Sequence, residues 1–451
     1  MKKGNKRRAG IIVLALFPMI LLAQRPDTAV ATHEFSLQQA IDYAAKNNVQ
    51  VKNALLNVQI QQETNREVTS AALPQVSASG SMTYNAKLPV SLVPAEFFGG
   101  QQGEFAKIAF GVKWAATGGV SINQLLFDGQ VFVGLQARET VLKFQQKNVE
   151  VTEEMIRTNI HKIYYQLVVS KQQVELLDAN IARVDKLLHD TKIIYENGFA
   201  ERLDVDKVNV ILANLQTERI RAVNQIDNGY YGLKLLMGMP QRDILVLTDT
   251  VSYEQVRDGV LDPSGFNYTD RKDYQYAELG IDLAKYNVRR YKLSKLPTLS
   301  LNGYYNKNAQ RDKFDFFNNG SWFSISAFTL NLNVPIFTGF STNAKIKRAQ
   351  LELQQNLNQQ NYLKLSIDNE IELARNNYRS AVAALDFQKK NMELAQEVYN
   401  QTKKKYEVGV GNQTEINDAQ TELKTAETNY IQALYDAIVA KVDFQKATGK
   451  L

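Results

Sequence analysis

Apolar residues recur along much of this chain at steps of three and four. Val174, Leu177, Ile181, Val184 and Leu188 form one such run, and Ile156, Ile160, Ile163 and Leu167 form another. Ile367, Ile371, Ala374, Tyr378, Ala381 and Leu385 repeat the pattern further on. Each stripe is narrow and the other positions are rich in Gln, Asn, Lys and Glu. The pattern therefore predicts coiled-coil-like helices with wet outer faces. Residues 135–197 and 340–408 contain neither Gly nor Pro. At 1.5 Å per residue they predict uninterrupted helices of roughly 95 and 104 Å, too long for a compact globule. A shorter helix is predicted from the Ser36/Gln39 capping box toward Ser70, with Leu37, Ile41, Ala44 and Ala45 on one face.

Between the helices the period falls to two, predicting four strands. Residues 73–84 and 108–126 supply two. In the second, Ile108, Phe110, Val112 and Trp114 oppose Ala109, Gly111, Lys113 and Ala115. In the third, Leu299, Leu301, Gly303 and Tyr305 oppose Ser300, Asn302 and Tyr304. In the fourth, Phe328, Leu330, Leu332 and Val334 oppose Thr329, Asn331 and Asn333, while Phe323, Ile325 and Ala327 have the other parity. That change of phase predicts a bulge near Ala327. Trp114, Trp322, Tyr304 and Tyr305 are candidate membrane-interface aromatics. A soluble half-buried sheet alternates in the same way, so the pattern alone leaves both settings open. Four strands cannot close on themselves, and an open edge cannot sit in lipid. A membrane setting therefore requires an oligomer: two copies give eight strands with a filled interior, three give twelve with room for a pore.

The chain is internally duplicated. Leu73-Pro74-x-x-Ser77-x-x-Gly80 recurs as Leu296-Pro297-x-x-Ser300-x-x-Gly303. Ile122-Asn123 with Phe127-x-Gly129 recurs as Leu332-Asn333 with Phe337-x-Gly339, and Tyr195-Glu196-x-Gly198 as Tyr406-Glu407-x-Gly409. Gly238 and Gly449 close the two halves. The common order in each half is helix, strand, strand, very long helix, tight turn, helix. The expected organisation is a first repeat over 24–239, a linker over 240–269 containing Pro240, Pro263 and Gly265, and a second repeat over 270–451.

Composition narrows the function. The chain has 451 residues, 44% of them hydrophobic, and no cysteine, which excludes disulfides, thiolate catalysis and Cys-zinc sites. Of its net charge of +6, five units come from Lys2, Lys3, Lys6, Arg7 and Arg8. Those cations precede an apolar run from Ile11 to Leu22 and Ala23-Gln24, so residues 1–23 read as a secretory signal cleaved after Ala23. A short N-terminal anchor is the alternative. The remaining +1 carries no nucleic-acid footprint. His33, His161 and His189 do not pair at ligand spacing, and no phosphate loop or nucleophile motif appears. The residues thus point away from an enzyme.

Signal, duplicated unit, Tyr-Glu-x-Gly turns and terminal glycines together resemble the TolC-like outer-membrane efflux proteins, over about residues 33–450. The resemblance implies a mixed α and β fold, with a homotrimer sharing a twelve-stranded transmembrane β-barrel, four strands per chain, above a long α-helical barrel in the periplasm. It implies a passive exit duct for efflux or type I secretion, without cofactor, partnered by a periplasmic adaptor (membrane fusion) protein, an inner-membrane pump of RND or ABC type, and outer-membrane lipid. Tyr195, Gly198, Tyr406 and Gly409 would be adaptor-docking tips. Asp204, Glu415, Asp418 and Tyr406 would form the gate, the nine carboxylates of a trimer ringing its mouth. The family's usual gate arginine is here Gly411, which leaves Arg202 as an alternative lock.

Plainer roles fit the same residues. Asp204 and Glu415 lie where acids favour a helix N-terminus, and Asn412 with Glu415 has capping spacing. The tip glycines suit left-handed turns, Tyr195 and Tyr406 suit simple packing, and Lys403-Lys404-Lys405 suits a solvated face. A periplasmic coiled-coil adaptor or scaffold with a soluble β-sheet is the competing function.

Overall fold

The computed structural model describes residues 30–257, 266–318 and 320–451. The expected signal at 1–23 and the middle of the linker, 258–265, lie outside them. The first half comprises β1 (Thr32–Phe35), α1 (Leu37–Asn47), α2 (Val49–Ser70), β2 (Gln75–Tyr84), β3 (Val90–Pro94), β4 (Phe105–Ala109), β5 (Trp114–Phe127), α3 (Gly129–Glu196) and α4 (Arg202–Met237). β6 (Ile244–Leu247) and α5 (Tyr253–Arg257) follow. The second half is α6 (Lys272–Leu293), β7 (Thr298–Arg311), β8 (Phe323–Asn333), α7 (Ser341–Glu407) and α8 (Gln413–Ala447). The expected order of elements appears twice.

α3 has 68 residues and α7 has 67, so each extends about 100 Å. α4 folds back along α3 and α8 along α7, and α3 and α8 meet across the two halves. The apolar stripes lie in these seams. Leu177, Val184 and Leu188 bury against Leu212, Leu215, Ile416 and Leu423 near the turns. Ile156, Ile160 and Leu167 bury with Leu233, Met237, Leu385 and Leu434 nearer the middle. Within the cluster near the turns, on its side toward the middle, runs a polar layer. Asn180 Nδ2 donates to Glu427 Oε2 (2.5 Å), Arg183 Nη2 to Asn180 Oδ1 (2.7 Å) and to Glu427 Oε1 (2.9 Å), and Gln420 Nε2 to Asn180 Oδ1 (2.7 Å). Among the described residues no helix is long and apolar enough to cross a membrane.

The strands make one antiparallel sheet in the order β2-β5-β7-β8, with a separate β3-β4 hairpin and a parallel β1-β6 pair. The hairpin occupies the loop between β2 and β5 and explains why the two halves fall out of step there: the offset between matching motifs drops from 223 to 210 across it.

Three expectations need correction. The helix predicted to run to Ser70 breaks at Asn48. Its Oδ1 accepts from the N–H groups of Gln50 and Val51, capping α2, and its Nδ2 donates to the Leu236 carbonyl (2.6 Å). The strand predicted from 108 starts at Trp114, because Gly111 turns the chain at φ 122° and Ile108 pairs in the hairpin instead. No bulge occurs at Ala327: β7 and β8 pair in unbroken register from Thr298–Asn333 to Asn308–Phe323. The change of phase in β8 is a change of chemistry along a regular strand. The register shift in the sheet falls instead between Leu125 and Phe127.

Candidate pore wall, gate and docking tips

Cross-strand partners share a face, so the register sorts the sheet into two surfaces. Ser77, Ser121 and Tyr304 share one face, as do Asn123, Asn302 and Thr329. Followed through every pair, this surface carries mainly Ser, Thr, Asn and Gln, with Leu125, Tyr304, Ile325 and Phe323 among them, and not one charged residue. Ser77 and Ser121 hydrogen-bond across it (2.8 Å). The opposite surface carries Val76, Ile122 and Gly303 with Phe328, and Leu301 with Leu330. A Cβ at Gly303 would lie 2.7 Å from the Phe328 ring, so only glycine lets that ring cover the strand. Phe316 covers Ala116 and Ala309 at the loop end of this face, but the rest is bare among the described residues: Val76 is 66% exposed, Phe328 79%, Leu330 62% and Leu332 65%. β2 and β8 each leave one edge unpaired.

Aromatic groups bracket the sheet. At the loop end, Tyr84 packs on Trp114 (4.6 Å), Trp114 on Phe314 (5.1 Å) and Phe316 on Trp322 (6.3 Å). At the strand–helix corners, Phe127 packs on Phe132 and Phe337 on Phe340, both at 5.5 Å. Ile336 beside them is 93% exposed. Trp114 to Phe127 spans roughly 43 Å along a strand, or about 30 Å in height at a 45° tilt, a bilayer core's thickness. Trp114 and Trp322 thus stand at one end of the sheet. Tyr304 and Tyr305 do not: they are the two central residues of the 14-residue β7, on opposite faces. The corner aromatics were not singled out from the sequence, although the Phe-x-Gly motif that marks the duplication contains two of them.

At the far ends of the long helices, two turns share one backbone. Gly198 (φ 79°) and Gly409 (φ 77°) are left-handed, with N–H groups bonded to the carbonyls of Tyr195 and Tyr406. A side chain there would meet no neighbour, so backbone conformation alone selects glycine. Gly411 is different. A Cβ there would lie 3.0 Å from the Tyr406 nitrogen and 3.2 Å from the Lys405 carbonyl carbon, so an arginine could enter only by displacing backbone. Arg202 is exposed and lies 3.8 Å from Asp206, one turn along α4.

The proposed gate acids separate on inspection. Asp204 accepts from the Glu201 N–H (3.3 Å) in a capping box, and Lys207 lies 3.9 Å away. Glu415 receives Asn412 Nδ2 (3.0 Å), while Asn412 Oδ1 accepts from its N–H (2.8 Å). Asp204 therefore caps α4, while Glu415 holds the side chain of Asn412, the residue that caps α8. Asp418 is exposed and faces Asp206 and Lys207 across a groove of about 460 Å³ between the starts of α4 and α8. Tyr406 is half-buried: its hydroxyl donates to Gln413 Oε1 (2.6 Å) and lies 3.5 Å from Thr191 Oγ1, and Gln413 Nε2 donates to Asn417 (3.0 Å). Tyr195 is exposed. Thr191 and Gln413 escaped the sequence reading because neither carries a charge or motif.

The outer membrane efflux protein family model matches this chain over residues 40–239 and 269–450. The outer membrane protein TolC of Vibrio cholerae is 22% identical over 335 residues, covering 74% of this chain and 76% of that protein. The outer membrane efflux protein BepC of Brucella suis is 21% identical, covering 96% and 89%. Among solved structures, the outer membrane protein VceC of Vibrio cholerae superposes with a TM-score of 0.72 at 16% identity, covering 92% of this chain and 96% of that one. The CmeC outer membrane channel of Campylobacter jejuni gives 0.73 at 16% identity, covering 92% and 85%.

Proposed function

The chain belongs to the outer membrane efflux protein family, and from that premise we propose that it is a passive exit duct built from three copies of itself. It is an outer-membrane efflux protein. In the proposed assembly, β8 of one copy pairs antiparallel with β2 of the next, and twelve strands close into a barrel with no free edge. The uncharged polar face lines the water-filled lumen, the apolar face meets lipid, and the helices continue the duct through the periplasm. A periplasmic adaptor and an inner-membrane pump, of RND or ABC type, engage the turns at Gly198 and Gly409. The tip acids form the cation-favouring mouth, with Asp418 the freest of them.

One observation supports this reading above the others: beyond the Phe316 loop, the apolar face of the four-stranded sheet lies bare beside two unpaired edges. Exposed Phe328, Leu330 and Leu332 would make a water-soluble sheet aggregate, whereas lipid and a neighbouring subunit satisfy face and edge together. The test is planar-bilayer conductance of the protein extracted from outer membranes, with its heat-modifiable trimer followed by electrophoresis. Stepwise single-channel conductance is expected, with divalent cations blocking it. Block should weaken several-fold when Asp204, Glu415 and Asp418 are replaced by Ala. A soluble monomer without conductance would restore the scaffold reading, and unchanged block would remove these acids from the gate.

A further inference from the structure

The corner where α6 meets β7 and β8 meets α7 carries a charge the duct does not need. Arg289, Arg290, Lys292 and Lys295 lie at the end of α6 and just beyond, and Lys345, Lys347 and Arg348 in the second turn of α7. No acid occurs at 283–297 or 334–351, and all seven cations are exposed. Six of them have no ion pair with any described carboxylate. Arg348 lies 3.5 Å from Glu352, a turn further along α7.

The two helices bring this charge together. Arg290 Nη2 and Arg348 Nη2 both donate to the Tyr291 hydroxyl, each at 3.2 Å, so two like charges converge on one neutral oxygen. Such a cluster is stabilised by an external anion. Immediately beside it lie the exposed Leu296, Ile336, Phe337 and Phe340. Lys345 to Arg348 sit about 6–11 Å along α7 from that apolar belt, the depth of a headgroup layer.

The matching corner of the first repeat is not basic. It holds Glu63, Glu67, Asp128 and Glu139 against Arg66 and Arg138. Arg66 there pairs with Glu63 (2.7 Å), and Arg138 is spent on Thr69 (2.5 Å) and the Leu135 carbonyl (3.0 Å). A general preference for membrane surfaces would mark both corners.

We propose that the second-repeat corner is a binding site for the phosphate headgroups of anionic phospholipid in the leaflet facing the periplasm. The site rests on the outer-membrane reading above. The full chain, purified from outer membranes and delipidated in detergent, would be titrated with phosphatidylglycerol, phosphatidylethanolamine or lipid A and followed by native mass spectrometry. Phosphatidylglycerol should bind most tightly. The R290Q/K345Q/K347Q/R348Q variant should lose on the order of a hundredfold or more in that affinity, since each juxtamembrane cation contributes about fivefold. Because Arg290 and Arg348 hold Tyr291, K345Q/K347Q serves as the variant that leaves this contact intact, and it should show an intermediate loss. Equal binding of the two phospholipids, no loss in either variant, or lipid A held as tightly through the same residues would overturn the proposal. A protein that reaches the outer membrane and conducts yet ignores headgroup charge refutes this site alone. A protein absent from the outer membrane refutes the function and this site with it.

Discussion

The two repeats share a backbone and divide the chemistry. Each has two sheet strands, a helix of about 100 Å and a glycine turn of the same left-handed form. Their turns differ in what holds them. The first closes on itself through the Glu201–Asp204 capping box and leaves Phe199 in solvent. The second reaches outward, its Tyr406 bonded to Gln413 and close to Thr191 on the other repeat's long helix. The polar layer shows the same asymmetry: its only carboxylate, Glu427, comes from α8, while the position 211 residues earlier is the exposed Gln216. Duplication copied what periodicity and φ angles encode. The contacts between the copies were free to diverge: even where equivalents face each other at the tips, as Lys207 faces Asp418, they differ in charge.

The largest effect expected from this division is at Glu427, only 5% exposed yet charged. Glu427→Ala would leave Arg183 without a carboxylate, its Nη2 bonded only to the Asn180 Oδ1 that Gln420 already shares. Removing one partner of a buried pair costs about 3–5 kcal/mol. Gln216→Ala, the matching change, should cost less than about 0.5 kcal/mol. Denaturant unfolding of the detergent-solubilised protein measures both, and similar costs would show that the layer does not distinguish the repeats. Replacing Asn180, Arg183 and Glu427 together by Leu should recover most of the loss, since an apolar layer leaves nothing unpaired.

Acid should separate the repeats next. Burial, aided by the nearby Arg157, pushes His161 on α3 down to about 4 from its usual 6.5. The folded helix therefore holds it neutral. Above pH 6.5 neither state binds the proton and stability is complete. As pH falls from 6.5 toward 4 the unfolded chain takes a proton that the folded one refuses, and up to about 3 kcal/mol is lost. The matching position on α7 is Glu372, paired with Arg375 in the same turn (2.9 Å) and without such burial. Hydrogen exchange should show α3 opening before α7 between pH 6.5 and 4, and His161→Gln should abolish the difference. Exchange that quickens equally in both helices would assign the acid sensitivity elsewhere.

How much of this could be read beforehand depends on the range of the cause. The long helices, their stripes and the duplicated order were legible, because a period of 3.6 or 2 is written in neighbouring residues. Gly198 and Gly409 were legible because a left-handed turn needs glycine regardless of surroundings. The break at Asn48 was not, since the carbonyl that holds Asn48 belongs to Leu236. Asn180, Gln420 and Glu427 look like surface residues in sequence, and only the meeting of α3 with α8 makes them a layer. The candidate gate was half legible: the family resemblance marked Asp204, Glu415 and Asp418, but only geometry shows Asp204 capping α4, Glu415 holding the Asn412 cap and Tyr406 bound to Gln413.

The smallest effect tests that last contact and bears most directly on what the second turn does. Tyr406→Phe keeps the ring packed against the buried cluster around Ile416 but removes the hydroxyl that meets Gln413 and Thr191. A hydrogen bond of this kind contributes about 0.5–1.5 kcal/mol, so the second turn should open roughly two- to tenfold more often. Trypsin, which can cut at Lys404 and Lys405 only when the end of α7 unwinds, reads that opening as a rise in cleavage rate. Tyr195→Phe, at the equivalent place in the first repeat, removes a solvent-exposed hydroxyl and should change cleavage after Lys192 hardly at all. If the two substitutions act alike, Tyr406 only packs at the turn. If Tyr406→Phe loosens its own turn alone, the second repeat carries a latch fastened to the first, and freeing the mouth of the duct requires moving α7 and α8 against α3.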